Sequence, residues 1–236
     1  MKNDSVRAIF KSALKKERAK IKLIGDSITH GVGGSGWEQC GELIVKGWAE
    51  SPNGYCWANL FRDYMKEKYG ATVKNKACTG TNVDFVMDNF STLVESDDDV
   101  IICTIGTNNR HKYFADGEKP TKEEFLAGFD DKIRRMYGMF SETGIPTIFV
   151  ANIPASAQNE RDGENFWRIL SMKDINESYG RLSRECGANV ISMYDMFSEY
   201  CTENGVAVDE LLDDGLHPND RGYRVMFEIL IGALGV

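Results

Sequence analysis

Short apolar runs rich in β-branched residues recur along the chain, separated by longer stretches whose apolar positions return every three or four residues. The runs predict strands at 21–25, 72–77, 100–105, 147–152 and 189–193. The amphipathic stretches predict helices at 56–69, 82–94, 122–142, 172–185 and 220–234. Boundary residues agree with this division: Thr121 precedes Glu123 and Glu124 as an N-cap, and Gly70, Gly144 and Gly187 stop three of the helices. A further basic amphipathic helix is read at the start of the chain from Val6, Ile9, Phe10 and Leu14. Strands alternating with helices of this length form βαβ units. Right-handed crossovers then arrange them as an α/β fold, a three-layer α/β/α sandwich around a mostly parallel five-stranded sheet. No repeat, low-complexity tract or linker interrupts the pattern, so residues 1–236 read as one domain, with 1–20 as an N-terminal helical extension. Three long loops, 29–55, 108–120 and 153–170, follow strand carboxyl ends, where open α/β sheets bind ligands. The first of these, 29–55, reads as an insertion.

Composition narrows the partners. A hydrophobic content of 42% over 236 residues is ample for such a core. The formal net charge of −8 weighs against phosphate-backbone binding, so no nucleic-acid partner is expected. No run approaches the roughly 18 apolar residues of a spanning helix, and the first residues lack the apolar centre of a signal peptide. The six cysteines (Cys40, Cys56, Cys78, Cys103, Cys186 and Cys201) form no C-x-x-C pair. A reducing, cytoplasmic setting is therefore expected.

The stretch IKLIGDSITHGVGGSG, at 21–36, carries two competing chemistries. Gly31, Gly33 and Gly36 match G-x-G-x-x-G, but a dinucleotide fingerprint needs its glycines at the strand-to-helix turn itself. Here Asp26, Ser27 and His30 intervene, no convincing phosphate-capping helix follows, and no Gly-Lys-Ser/Thr is present. The glycines read instead as a flexible surface loop or lid. The alternative is a nucleophilic Ser27, which needs a base and an orienting partner for that base. Three histidines are available. His30 is too close in sequence to reach the Ser27 hydroxyl readily, and His111 lies in a polar loop. His217 lies three residues after Asp214, close enough for a carboxylate to hold one ring nitrogen; Asp213 is the alternative orienter. Acyl transfer also needs hydrogen-bond donors for an oxyanion. Gly80 in NKACTGTN and Asn108 in IGTNN follow the second and third strands and could supply them.

These stretches together resemble the SGNH hydrolases, also called the GDSL esterase family. Gly25-Asp26-Ser27 is similar to the first family block, with Ile28 in place of the name-giving leucine. The stretch 75–80 is similar to N-x-A-x-x-G, 106–109 to G-x-N-D, and 214–218 to D-x-x-H-P. Asn109 stands where the family usually has Asp. The resemblance implies a Ser27–His217–Asp214 triad and an oxyanion hole of the Ser27 N–H, the Gly80 N–H and the Asn108 amide. Asp26 and Asn109 would be supporting residues. It also implies a flavodoxin-like sandwich with no metal and no organic cofactor. The expected activity is hydrolysis of a small-molecule or oligosaccharide ester through an acyl-enzyme, with an acetylated carbohydrate preferred on the family analogy. A lipid or thioester acyl hydrolase, an acyltransferase using the same triad and a non-catalytic nucleotide-binding module are the alternatives. Aromatic and polar residues in the long loops are candidate substrate contacts: Trp37, Trp48 and Trp57 at the first, Arg110, His111, Tyr113 and Phe114 in the second, Arg161, Phe166, Trp167 and Arg168 in the third.

Overall fold

A computed structural model of the chain describes residues 4–37 and 54–236. Most of the 29–55 stretch, including Cys40 and Trp48, lies outside the described residues. The chain opens with helix α1 (Asp4–Ala13), strand β1 (Lys20–Gly25) and the four-residue helix α2 (Ser27–His30). Then come α3 (Trp57–Tyr69), β2 (Thr72–Asn75), the short helices α4 (Val83–Asp88) and α5 (Phe90–Leu93), and β3 (Val100–Thr104). The second half carries β4 (His111–Tyr113), α6 (Lys122–Glu142), β5 (Thr147–Ala151), β6 (Phe166–Arg168) and α7 (Met172–Cys186). It ends with β7 (Asn189–Ser192), α8 (Met193–Asn204) and α9 (Asp220–Leu234).

Five strands pair in parallel in the order β2-β1-β3-β5-β7. This is the flavodoxin-like order, whose direction reverses between β1 and β3. Alternation along each strand feeds two cores. Ile21, Leu23, Val100, Ile102, Ile148, Val150 and Ile191 face a layer built from α1, α3, α8 and α9. Ile24, Ile101, Cys103, Phe149, Ala151 and Val190 face α4 to α7. One charged position breaks the apolar pattern. The Lys22 side chain is fully buried, and its Nζ lies 2.8 Å from Glu95 and 3.4 Å from Asp98. Taking a charge out of water is costly unless it is paired, so this cluster is what lets a lysine occupy a central strand.

The expected strands and helices are present, with three differences. The helix predicted over 82–94 is two short helices, broken at Asn89, whose φ of −109° and ψ of 17° leave the helical region. Helix α8 was not expected. Its Ser192 cap accepts from the Asp195 N–H, and Met193, Phe197 and Cys201 bury one face. The second and third long loops are not separate either: β4 and β6 pair antiparallel as a two-stranded ribbon, with His111 opposite Arg168 and Tyr113 opposite Phe166. Among the described residues no helix is long and apolar enough to cross a membrane. The five described cysteines are all free thiols.

Candidate active site

Strand β1 ends at Gly25, where any side chain would collide: a β-carbon would lie 2.4 Å from Thr29 Oγ1 and 3.0 Å from the Thr104 carbonyl. The chain then turns at once into α2. Asp26 caps this helix, its carboxylate accepting the Ile28 N–H at 3.0 Å, and Gly31 closes it at φ 106°. Ser27 is thereby held at the first helical position, at the β1/β3 switch point where ligands of such sheets bind. It is 4% exposed.

His217 reaches this serine from the loop before α9, with Nε2 2.8 Å from Ser27 Oγ. Its other nitrogen, Nδ1, lies 2.7 Å from Asp214 Oδ2. Asp214 Oδ1 accepts the backbone N–H groups of Leu216 and His217, so the turn that presents the imidazole is tied to the carboxylate that orients it. Burial pushes the Asp214 carboxyl up, but the hydrogen bonds from the His217 backbone and ring outweigh it and hold the group below its ordinary value. Asp214, rather than Asp213, meets the ring. An ionised carboxylate on one nitrogen leaves the other as an acceptor toward a hydroxyl proton, the arrangement a general base requires.

Two further loops join this centre. Gly80 sits at φ 82° in the turn closed by the Thr81 N–H on the Cys78 carbonyl, a backbone conformation that favours glycine. The Asn108 side chain donates to the Thr81 carbonyl at 2.8 Å, which fixes its amide against the same turn. Asn109 Oδ1 accepts the Val83 N–H at the start of α4. That acceptor role needs an oxygen but no charge, so Asn serves where the family usually has Asp. The Cys78 N–H bonds the Gly25 carbonyl, and His30 Nδ1 lies 3.0 Å from Thr79 Oγ1. His30 thus braces the turn and does not contact the serine through its ring hydrogen bond. Burial lowers its basicity.

Behind Ser27 lies a buried polar cluster that sequence reasoning missed. Asn152, just past β5, donates to Thr107 Oγ1 at 2.7 Å and to Asp26 Oδ2 at 3.2 Å. Burial raises the Asp26 carboxyl to about 6, against the opposing pull of the Thr107 and Ile28 hydrogen bonds. A strand-terminal Asn at the carboxyl edge of the sheet was the available signal.

The glycines after α2 lie close to the His217 loop. A β-carbon on Gly33 would lie 2.7 Å from the Pro218 carbonyl and 3.1 Å from the His217 β-carbon, and the residue has φ 92°. Ser35 bonds Asp220 through both its N–H and its hydroxyl, and the Tyr223 hydroxyl donates to the Val32 carbonyl. The segment is docked against the His217 loop and α9.

Beside Asn108 opens a cleft of about 230 Å³ walled by the ribbon, with His111, Tyr113, Phe166 and Arg168 on one side and Leu216 on the other. Arg110 borders it but is 0% exposed, donating to the Thr107 carbonyl, Asn159 and Glu160. Burial and the neighbouring Arg168 lower its guanidinium to about 10. Trp167 is on the opposite face of the ribbon, its ring tilted at 54° to Phe114 with centroids 4.7 Å apart, and is packed against the core. Arg161 is exposed and does not line the cleft, and Trp37 meets His30 edge-on at 5.8 Å.

Residues 23–225 match the family model of GDSL-like lipases and acylhydrolases. Solved structures share the fold at low identity. A candidate GDSL-like lipase from Parabacteroides merdae is 18% identical, with a TM-score of 0.67 over 93% of this chain and 97% of that one. A variant of Axe2, an acetyl-xylooligosaccharide esterase from Geobacillus stearothermophilus, is 17% identical, with a TM-score of 0.67 over 94% and 97%. LAE5, an α/β hydrolase from the Lake Arreo metagenome, is 17% identical, with a TM-score of 0.66 over 94% and 98%. No curated protein sequence matches the chain.

Proposed function

This chain belongs to the GDSL-like lipase/acylhydrolase family and is an ester-bond hydrolase; from that premise we propose that it removes a small acyl group, acetate above all, from a carbohydrate by a Ser27–His217–Asp214 mechanism. The observation that carries the reading is the unbroken chain of contacts from Asp214 through His217 to Ser27, at 2.7 and 2.8 Å. Ser27 Oγ attacks the ester carbonyl and passes its proton to His217 Nε2, while Asp214 stabilises the imidazolium that forms. The oxyanion of the tetrahedral intermediate is received by the Ser27 and Gly80 N–H groups and the Asn108 amide. His217 then protonates the departing alcohol, and a water activated by the same ring hydrolyses the acyl-enzyme.

The size and lining of the cleft support a small acyl group on a polar alcohol. At about 230 Å³ it is below the roughly 300–1,000 Å³ that accommodates a drug-sized ligand, and its walls mix rings with polar groups. That suits one sugar ring better than a lipid chain. The shared fold of an acetyl-xylooligosaccharide esterase points the same way. The test is turnover of p-nitrophenyl acetate and of mono-acetylated sugars by the wild type and by Ser27→Ala, together with fluorophosphonate labelling. Acetate release and labelling that both vanish in Ser27→Ala are expected. Hydrolysis that persists in the variant would remove Ser27 from its role.

A further inference from the structure

The cleft beside Asn108 contains a cation that its surroundings leave uncommitted. Arg168 is the last residue of β6 and lies across the ribbon from His111. Its guanidinium carbon sits 4.9 Å from the centroid of the Phe166 ring, and its Nε donates to the Asn159 carbonyl at 3.0 Å. These two contacts fix the plane of the guanidinium while leaving its outer nitrogens at the cleft wall. Nη1 is 3.5 Å from His111 Nδ1, a long contact at best. Among the described residues, no carboxylate oxygen lies within 4 Å of the guanidinium. The nearby acids are engaged elsewhere: Glu160 accepts from Arg110 and from the Met172 N–H. Asp162 accepts the backbone N–H of Arg168 and the Lys119 ammonium.

The charge in the cleft can be counted. Arg110 is neutralised by Glu160 at 3.1 Å. His111 is held neutral: burial, then Arg168 and Arg110, push its imidazole down to about 4. Arg168 therefore stands at the cleft wall, half-buried and braced on an aromatic face, with Glu160 and Asp162 acting on its charge only from beyond ion-pair contact. A half-buried guanidinium attracts an anion more strongly than a fully solvated one, because less water screens it. Its planar fork matches a carboxylate. A doubly charged phosphate would call for a second uncommitted cation, which the described lining of the cleft lacks.

We infer that the alcohol portion of the substrate bears a carboxylate, and that Arg168 is the residue that selects it. This inference rests on the small-acyl reading above, since a small acyl group leaves the alcohol portion as the part that extends into the cleft. A uronate-type sugar meets the requirement: the ring occupies the space beside Tyr113 and its carboxylate meets Arg168. Loss of a charge-assisted hydrogen bond of this kind changes binding on the order of tenfold or more.

A matched pair of substrates tests it: mono-O-acetylated methyl glucuronoside and the same acetyl isomer of methyl glucoside, which differ in one carboxylate. The wild type is expected to show a kcat/KM on the order of tenfold higher for the glucuronoside. Arg168→Gln is expected to abolish that ratio, and Arg168→Lys to retain part of it. Raising the salt concentration should lower kcat/KM of the wild type for the glucuronoside more than for the glucoside, a readout that needs no variant to fold. Equal turnover of the two sugars by the wild type, or an Arg168→Gln defect that is the same on both, overturns the inference while Ser27-dependent acetate release keeps the esterase reading intact. No Ser27-dependent release from either sugar or from p-nitrophenyl acetate overturns both.

Discussion

Ser27 and His217 stand 190 positions apart, yet Ser27 Oγ and His217 Nε2 are in hydrogen-bond contact, and each is steered by its immediate neighbours. Asp26 caps the helix that presents the serine, and Asp214 ties down the turn that presents the imidazole. Asn108 is held by one donated bond to Thr81, which orients the rest of its amide. Asn108→Ala should leave a folded protein whose kcat toward p-nitrophenyl acetate falls by about 10²–10³; an unchanged kcat at an unchanged melting temperature would remove it from the oxyanion hole. Asp26 makes a prediction about pH. Its carboxyl is raised to about 6 in the fold, so the folded state holds a proton that the unfolded chain releases near pH 4. The contribution of this group to stability is full below pH 4 and is lost as pH rises to about 6. Asp26→Asn, which cannot ionise, should therefore gain stability relative to the wild type across that window, on the order of 3 kcal/mol. Denaturant titrations at pH 4 and pH 7 measure it, and a difference that does not change with pH refutes it.

Individual elements show where periodicity was readable and where it was not. The sheet strands and the long helices α3, α6, α7 and α9 are continuous enough for their periods to show. The ribbon strands β4 and β6 have three residues each, too few to display an alternation, and their pairing depends on a partner more than 50 residues away. Helix α8 was legible in principle from Ser192 and Asp195 followed by Met193, Phe197 and Cys201, but it begins directly at the end of β7. The four short blocks around Gly25, Asn75, Gly106 and Asp214 are sequence-local, whereas the Asn152–Thr107–Asp26 cluster joins three strand ends, and its one cue in sequence, an Asn at a strand end, does not name its partners. Nothing in the sequence near the glycine loop after α2 reveals that Gly33 meets Pro218. Gly33→Ala forces a β-carbon toward the Pro218 carbonyl at a positive φ. The His217 loop must shift to admit it. A displacement near 1 Å at a reacting group costs about 10²-fold, so kcat should drop by tenfold or more with little change in secondary structure by circular dichroism. Wild-type kcat in that variant would show that the two loops do not constrain each other.

Across the whole molecule, five parallel strands carry the candidate site at their carboxyl ends, and Ser27 and His217 reach it from opposite ends of the sequence. The position of Ser27 then depends on the register of β1, which is bordered by β2 on one side and β3 on the other. Lys22, paired with Glu95 and Asp98, disfavours a slipped register together with the apolar alternation of the strand. A shift by one residue would move the strand about 3.3 Å and turn Lys22 toward the all-apolar layer of α3 and α9, away from Glu95 and Asp98. On this reading the ion pair serves as an alignment key for Ser27, five residues downstream. Lys22→Met would strand the nearly buried Asp98 and should destabilise the protein by about 3–5 kcal/mol, whereas Lys22→Met with Asp98→Leu should recover most of that loss. If the double variant proves as stable as the wild type but releases acetate more slowly, with doubled amide resonances along β1, the lysine is exchanging stability for a single alignment of the catalytic strand.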